Sequence, residues 1–134
     1  MTMTQARGTF DVKVVPQGPG DTAEGIALGR MSIDKQFHGD LEAISKGEML
    51  TSGLESNGSA AYVAIERVIG ALNGKRGSFA LMHQGLANKE RQQLVVTVVP
   101  DSGTGELAGL SGTMTITIVE KKHLYDFAYS LPAK

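Results

Sequence analysis

The chain has 134 residues with 13 Lys and Arg against 14 Asp and Glu, a balance that offers no electrostatic footprint for nucleic acid or for an anionic membrane surface. It has no cysteine, which excludes disulfides, thiolate nucleophiles, iron–sulfur clusters and cysteine-ligated zinc. Glycine is the outlier at 17 residues, nearly double the usual share of about 7%, and without a strict period it points to bends, bulges and tight turns. The length predicts one domain over 1–134. The start, Met1 to Arg7, lacks the apolar segment of a signal peptide, and the most apolar run, Leu94 to Val99, falls far short of the ~20 residues of a membrane helix; a cytoplasmic protein is expected.

Taken in chain order, most segments alternate with period two, the mark of strands with two unlike faces. Gly8 to Val15 sets Phe10, Val12 and Val14 against Thr9, Asp11 and Lys13. Gly25 to Phe37 sets Ala27, Met31, Ile33 and Phe37 against Arg30, Ser32, Asp34 and Gln36. Leu41–Leu54 and Arg76–Ala87 are also read as strands, and Arg91 to Val99 turns apolar on both faces near its end. Gly112 to Val119 alternates threonines with Met114, Ile116 and Ile118, and His123 to Leu131 places His123, Tyr125, Phe127 and Tyr129 on one face. Turn clusters separate them: Pro16 to Asp21, His38 to Asp40, Glu55 to Gly58, Asn73-Gly74, Ala87 to Glu90 and Pro100 to Gly105. Ser59 to Asn73 fits two readings. A helix would run from a Ser59 cap with Ala61, Ala64, Ile65, Val68 and Leu72 as its stripe, whereas Tyr62, Val63, Ile65, Val68 and Ile69 prefer strands and Gly70 weakens a helix interior. With this segment as a strand, about eight strands follow at the spacing of an up-and-down barrel or sandwich.

Familiar catalytic signatures are absent. Gly103-Thr-Gly105, followed by Gly109, resembles a nucleotide-binding loop, but phosphate binding requires a helix to begin at once, and a strand pattern follows instead. It is read as a turn. No Gly-x-Ser-x-Gly elbow occurs, and His38, His83 and His123 lack metal-site spacing, so neither metal nor cofactor is expected. Glu48 reads as a solvated or cross-strand charge. Lys35 falls on the apolar side of its strand, which predicts a place at a barrel mouth, its stem on apolar surface and its ammonium in water.

Glu66 and His83 form the most informative pair. If Asn73-Gly74 closes a two-residue hairpin, Leu72 pairs with Lys75; if the loop spans Asn73 to Arg76, Leu72 pairs with Gly77. Either register puts Glu66 and His83 on one face, together with Tyr62, Ala64, Val68, Phe79 and Leu81, and the second opposes them directly. A carboxylate beside an imidazole in apolar surroundings is a candidate acid/base pair, or a structural pair that sets strand register. The opposite face carries Val63, Ile65, Ile69, Ala80, Met82 and Leu86, which predicts a homo-oligomer, a dimer for preference.

The segments Lys35 to Leu41, Gly47-Glu-Met-Leu50, Gly58 to Ala64, Gly77-Ser-Phe79 and Pro100 to Leu107, with His123-x-Tyr125-x-x-x-Tyr129-x-Leu-Pro132, resemble a bacterial family of small proteins of unknown function. That resemblance covers nearly the whole chain and implies an all-β fold, the eight-stranded antiparallel up-and-down barrel of the calycin-type, allene oxide cyclase-like kind. It tips Ser59–Leu72 to strand. It carries no catalytic residue across, and fold likeness is a weak warrant for chemistry. Eight strands leave room for side chains or one small ligand. The expected function is therefore a barrel enclosing a small, mostly apolar molecule, with Lys35, Tyr62, Phe79, Leu81, Tyr125 and Tyr129 as ligand-binding candidates and Glu66 and His83 as catalytic ones. An isomerase or cyclase acting on a polyunsaturated or polyketide-like substrate is the alternative; a filled structural barrel serving as an oligomer module is the third reading.

Overall fold

Period-two alternation holds along eight strands, and the inward parity of each is met by its neighbours. A computed structural model describes residues 3–54, 59–88 and 90–132. The strands are β1 (Thr4–Pro16), β2 (Ile26–Gly39), β3 (Leu41–Leu54), β4 (Ser59–Leu72), β5 (Lys75–Ala87), β6 (Gln92–Val98), β7 (Ser111–Val119) and β8 (Lys122–Ser130). Each pairs antiparallel with the next, and β1 pairs with β8, so the sheet closes into a barrel. The turn cluster at Glu55 to Gly58 lies outside the described residues.

Ser59–Leu72 is a strand. Its alternation buries Ala64, Glu66, Val68 and Leu72 and exposes Val63, Ile65 and Ile69, and pairing with β3 and β5 outweighs the local case for a helix. Gly70 serves that pairing, because a Cβ there would stand 2.6 Å from the Ala43 side chain. Asn73 and Gly74 both have positive φ, 48° and 84°, as a two-residue primed hairpin requires. Leu72 therefore pairs with Lys75, the first of the two registers. β1 begins at Thr4, earlier than the expected Gly8, because Ala6 packs fully buried opposite Phe127.

The barrel's two ends differ. At one end lie the β2–β3 and β4–β5 turns and the long β6–β7 connection. Leu41, Leu72, Leu107 and Leu110 are buried there, and Phe79 stacks on Phe127 at 5.9 Å. The Gly103–Gly109 element is the turn expected of it: it passes through a single 3-10 turn, Gly105–Leu107, and delivers the chain to β7. Thr104 ties it to β5, its N–H donating to the Ser78 carbonyl (2.8 Å) and its hydroxyl accepting from the Ser78 N–H (3.0 Å). Gly77 permits the approach, since a Cβ there would meet the Thr104 carbonyl oxygen at 2.1 Å.

The other end carries the β1–β2, β3–β4, β5–β6 and β7–β8 connections, and the β6–β7 seam is open there. Pairing across that seam is confined to Val96 with Met114 and Thr97 with Thr113. The flanking Leu94 and Ile118, which share the inward parity of Val96 and Met114, are exposed as a result. No helix among the described residues is long and apolar enough to cross a membrane.

Candidate functional site

Glu66 on β4 and His83 on β5 both point into the barrel and are almost fully buried, at 1% and 3% exposure. In the observed register Glu66 opposes Leu81 and His83 opposes Ala64, so the two are diagonal neighbours. His83 Nε2 stands 3.4 Å from Glu66 Oε2.

Lys35 completes the cluster from two strands away. Its partner on β3 is Ser45, and Glu66 is the β4 partner of Gly47. With strands about 4.8 Å apart, β2 and β4 are separated by roughly 10 Å, a gap that a lysine and a glutamate bridge if nothing tall stands between. Ser45 and Gly47 leave that path low: a Cβ at Gly47 would lie 2.7 Å from the Glu66 Cβ. Lys35 Nζ reaches 2.9 Å from Glu66 Oε2 and lies over the Phe10 ring, 4.7 Å from its centroid. The expectation of a lysine at the mouth with its ammonium in water is thus corrected. The side chain is 6% exposed and turned inward, because an ion pair and two aromatic faces substitute for hydration.

Burial pushes the Glu66 carboxyl up, but the His83 imidazole and the Lys35 ammonium outweigh it and hold the pKa below the ordinary carboxylate range. The site therefore contains a carboxylate and an ammonium in apolar surroundings. It is incompletely satisfied: Glu66 Oε2 is held by Lys35 and His83, but among the described residues Glu66 Oε1 and the Ser45 hydroxyl are buried without a hydrogen-bond partner.

Tyr62 connects this cluster to the open end. It is half-buried, with its ring 6.4 Å from that of His83 and laid over its cross-strand partner Gly85, where a Cβ would meet ring carbon Cε1 at 2.4 Å. Burial, with a smaller contribution from the Glu66 charge, raises the phenol pKa. Tyr62 also lines a recess of about 460 Å³ together with Met31, Met49, Gly85, Leu94 and Ile118. Tyr62 thus both walls this recess beside the open seam and lies next to His83 of the charged cluster.

The remaining candidates lie apart from this hollow. Phe79 and Leu81 are core residues. The Tyr125 hydroxyl donates to the His38 carbonyl and accepts from the Leu41 N–H, both at 2.9 Å, and so braces the β2–β3 turn. The Tyr129 hydroxyl accepts from Asn73 Nδ2 at 2.6 Å in the β4–β5 turn. Glu48 is an exposed partner of Arg30 on the neighbouring strand, the cross-strand charge expected of it. Ser45, Gly47 and Gly85 went unremarked as site residues. Their signal was present as small side chains at alternate positions on the inward faces of β3 and β5.

A solved structure from Shewanella oneidensis MR-1, described as a protein of unknown function from the DUF3224 family, is 48% identical over 98% of this chain and 99% of its own, with a TM-score of 0.91. No curated protein matches the sequence. With residues 6–129 matching its family model, the chain belongs to DUF3224, a family of proteins of unknown function.

Proposed function

We propose that the barrel binds a small, mostly apolar molecule, which enters at the open end beside the β6–β7 seam and directs its polar group toward Glu66, His83 and Lys35. The buried charged cluster is the observation that carries this reading. Apolar residues of similar volume would serve stability as well or better, because desolvating an ion pair offsets most of its attraction. Its unpartnered Glu66 Oε1 and the nearby recess are what a ligand site requires: apolar walls with a few convergent polar groups.

Binding is favoured over isomerase or cyclase chemistry by the direction of the Glu66 pKa. A carboxylate held below its ordinary range is a weak general base, whereas efficient proton transfer calls for a pKa near the working pH. Under the catalytic alternative His83 would move the proton and Glu66 would orient the imidazole. We also assign the fold to the allene oxide cyclase-like barrels, on the strength of the consecutive up-and-down strand order and the Gly103–Gly109 turn element. The outer face of β3–β5, where Leu50, Val63, Ile65, Met82 and Leu86 are exposed, is assigned to a homodimer contact. Light scattering at the mass of one 14.2 kDa chain would contradict it.

Native mass spectrometry of the protein purified from its own host tests the binding reading. A retained small molecule, extractable into organic solvent, is expected. A spectrum of bare chain with nothing recovered in the extract would overturn it.

A further inference from the structure

We propose that the luminal site selects an uncharged molecule whose apolar body ends in a hydrogen-bond donor, a hydroxyl group, and discriminates against the corresponding carboxylate and against an uncharged group that only accepts. This rests on the binding reading above and adds the chemistry of the head group.

The buried atoms that lack partners define the group the site is missing. An ionised carboxylate only accepts hydrogen bonds. Glu66 Oε2 is ion-paired with Lys35 at 2.9 Å and lies 3.4 Å from His83 Nε2, whereas Oε1 is buried with no hydrogen-bond partner among the described residues. A buried acceptor left in that state costs about as much as a lost hydrogen bond to a charged group, so the missing component is a donor. The Ser45 hydroxyl, buried and unpartnered on the same inward side, can accept or donate in turn.

Charge then narrows the donor. Lys35 and Glu66 offset one another at 2.9 Å. A ligand carboxylate would add an unbalanced negative charge beside Glu66, and a ligand ammonium an unbalanced positive one beside Lys35, each in surroundings that solvate charge poorly. An uncharged donor satisfies Glu66 without either penalty. The body of the ligand follows from the recess, whose volume of about 460 Å³ and methionine, leucine and isoleucine walls suit a medium-length hydrocarbon. Tyr62 stands between the recess and His83, its ring packed on Gly85, so for the head to reach Glu66 that ring must turn aside.

Three probes of matched size test this on the intact protein by calorimetry at neutral pH: decanol, its isomer methyl nonyl ether, and decanoate. Decanol and the ether share one formula and differ in the donor alone. Decanol is expected to bind about tenfold or more tightly than the ether, with decanoate weaker still. In Glu66→Gln, whose amide both donates and accepts, the alcohol-to-ether ratio should collapse toward one; if that variant does not fold, the ratio in the natural protein still decides. Equal binding of alcohol and ether would overturn the donor assignment while leaving the apolar site in place. Tightest binding of decanoate would overturn it in favour of Lys35 as an anion anchor. Failure of all three probes to bind would instead overturn the binding reading itself.

Discussion

At the end of the barrel capped by the Gly103–Gly109 element, Leu41, Leu72, Leu107 and Leu110 fill the lumen, and two tyrosine hydroxyls tie down the turns. At the opposite end Met31, Met49, Tyr62 and Leu94 stand around a recess, and the neighbouring β6–β7 seam runs largely unpaired. The same alternating strands build both. One end uses its inward positions for close packing; the other leaves them half-exposed above a buried Lys35–Glu66–His83 cluster that packing alone does not call for. Close packing and the buried charged cluster are thus divided along the barrel axis.

Breaking one member of the cluster should give the largest effect. Lys35→Met leaves Glu66 buried beside His83 alone, and a loss of about 3–5 kcal/mol is expected in chemical denaturation. The contrast between the ends comes next. Leu107→Ala opens a cavity in the capped end and should cost about 2–5 kcal/mol, whereas Leu94→Ala at the seam should cost about 1 kcal/mol or less. Similar losses at the two positions would erase the distinction between the ends. A smaller effect is expected from acid. Because the folded state holds the Glu66 pKa below its unfolded value, the stability it contributes is complete above the ordinary carboxylate range and lost as pH falls through the folded pKa. Denaturation midpoints recorded on acidification should therefore fall less steeply in Glu66→Gln than in the natural protein.

Much of this division was legible in the residues. Parity around Asn73-Gly74 placed Glu66 and His83 on one inward face before any register was chosen, because both candidate loops preserve the face. The hairpin's two positive-φ residues then decided the register. The position of Lys35 was harder to read. Its alternation was clear, but whether a lysine snorkels or turns inward depends on a carboxylate two strands away, and on the low path over Ser45 and Gly47 that lets the two meet. The open seam was not legible either. Gln92 to Val98 and Ser111 to Val119 each read as ordinary strands, and nothing local reports that they pair at only two positions. The start of β1 was hidden because Ala6 is the sole apolar residue between Thr4 and Thr9.

The central claim is that the charged cluster exists for a ligand and not for stability. Replacing all three members together, Lys35→Met, Glu66→Leu and His83→Leu, removes the ionisable groups of the cluster while roughly preserving volume. Thermal unfolding of this triple variant beside Lys35→Met tests the claim most directly. A melting temperature equal to or above that of the natural protein is expected, together with loss of the retained molecule. A melting temperature as low as that of Lys35→Met would show that the cluster holds the barrel together and would contradict it.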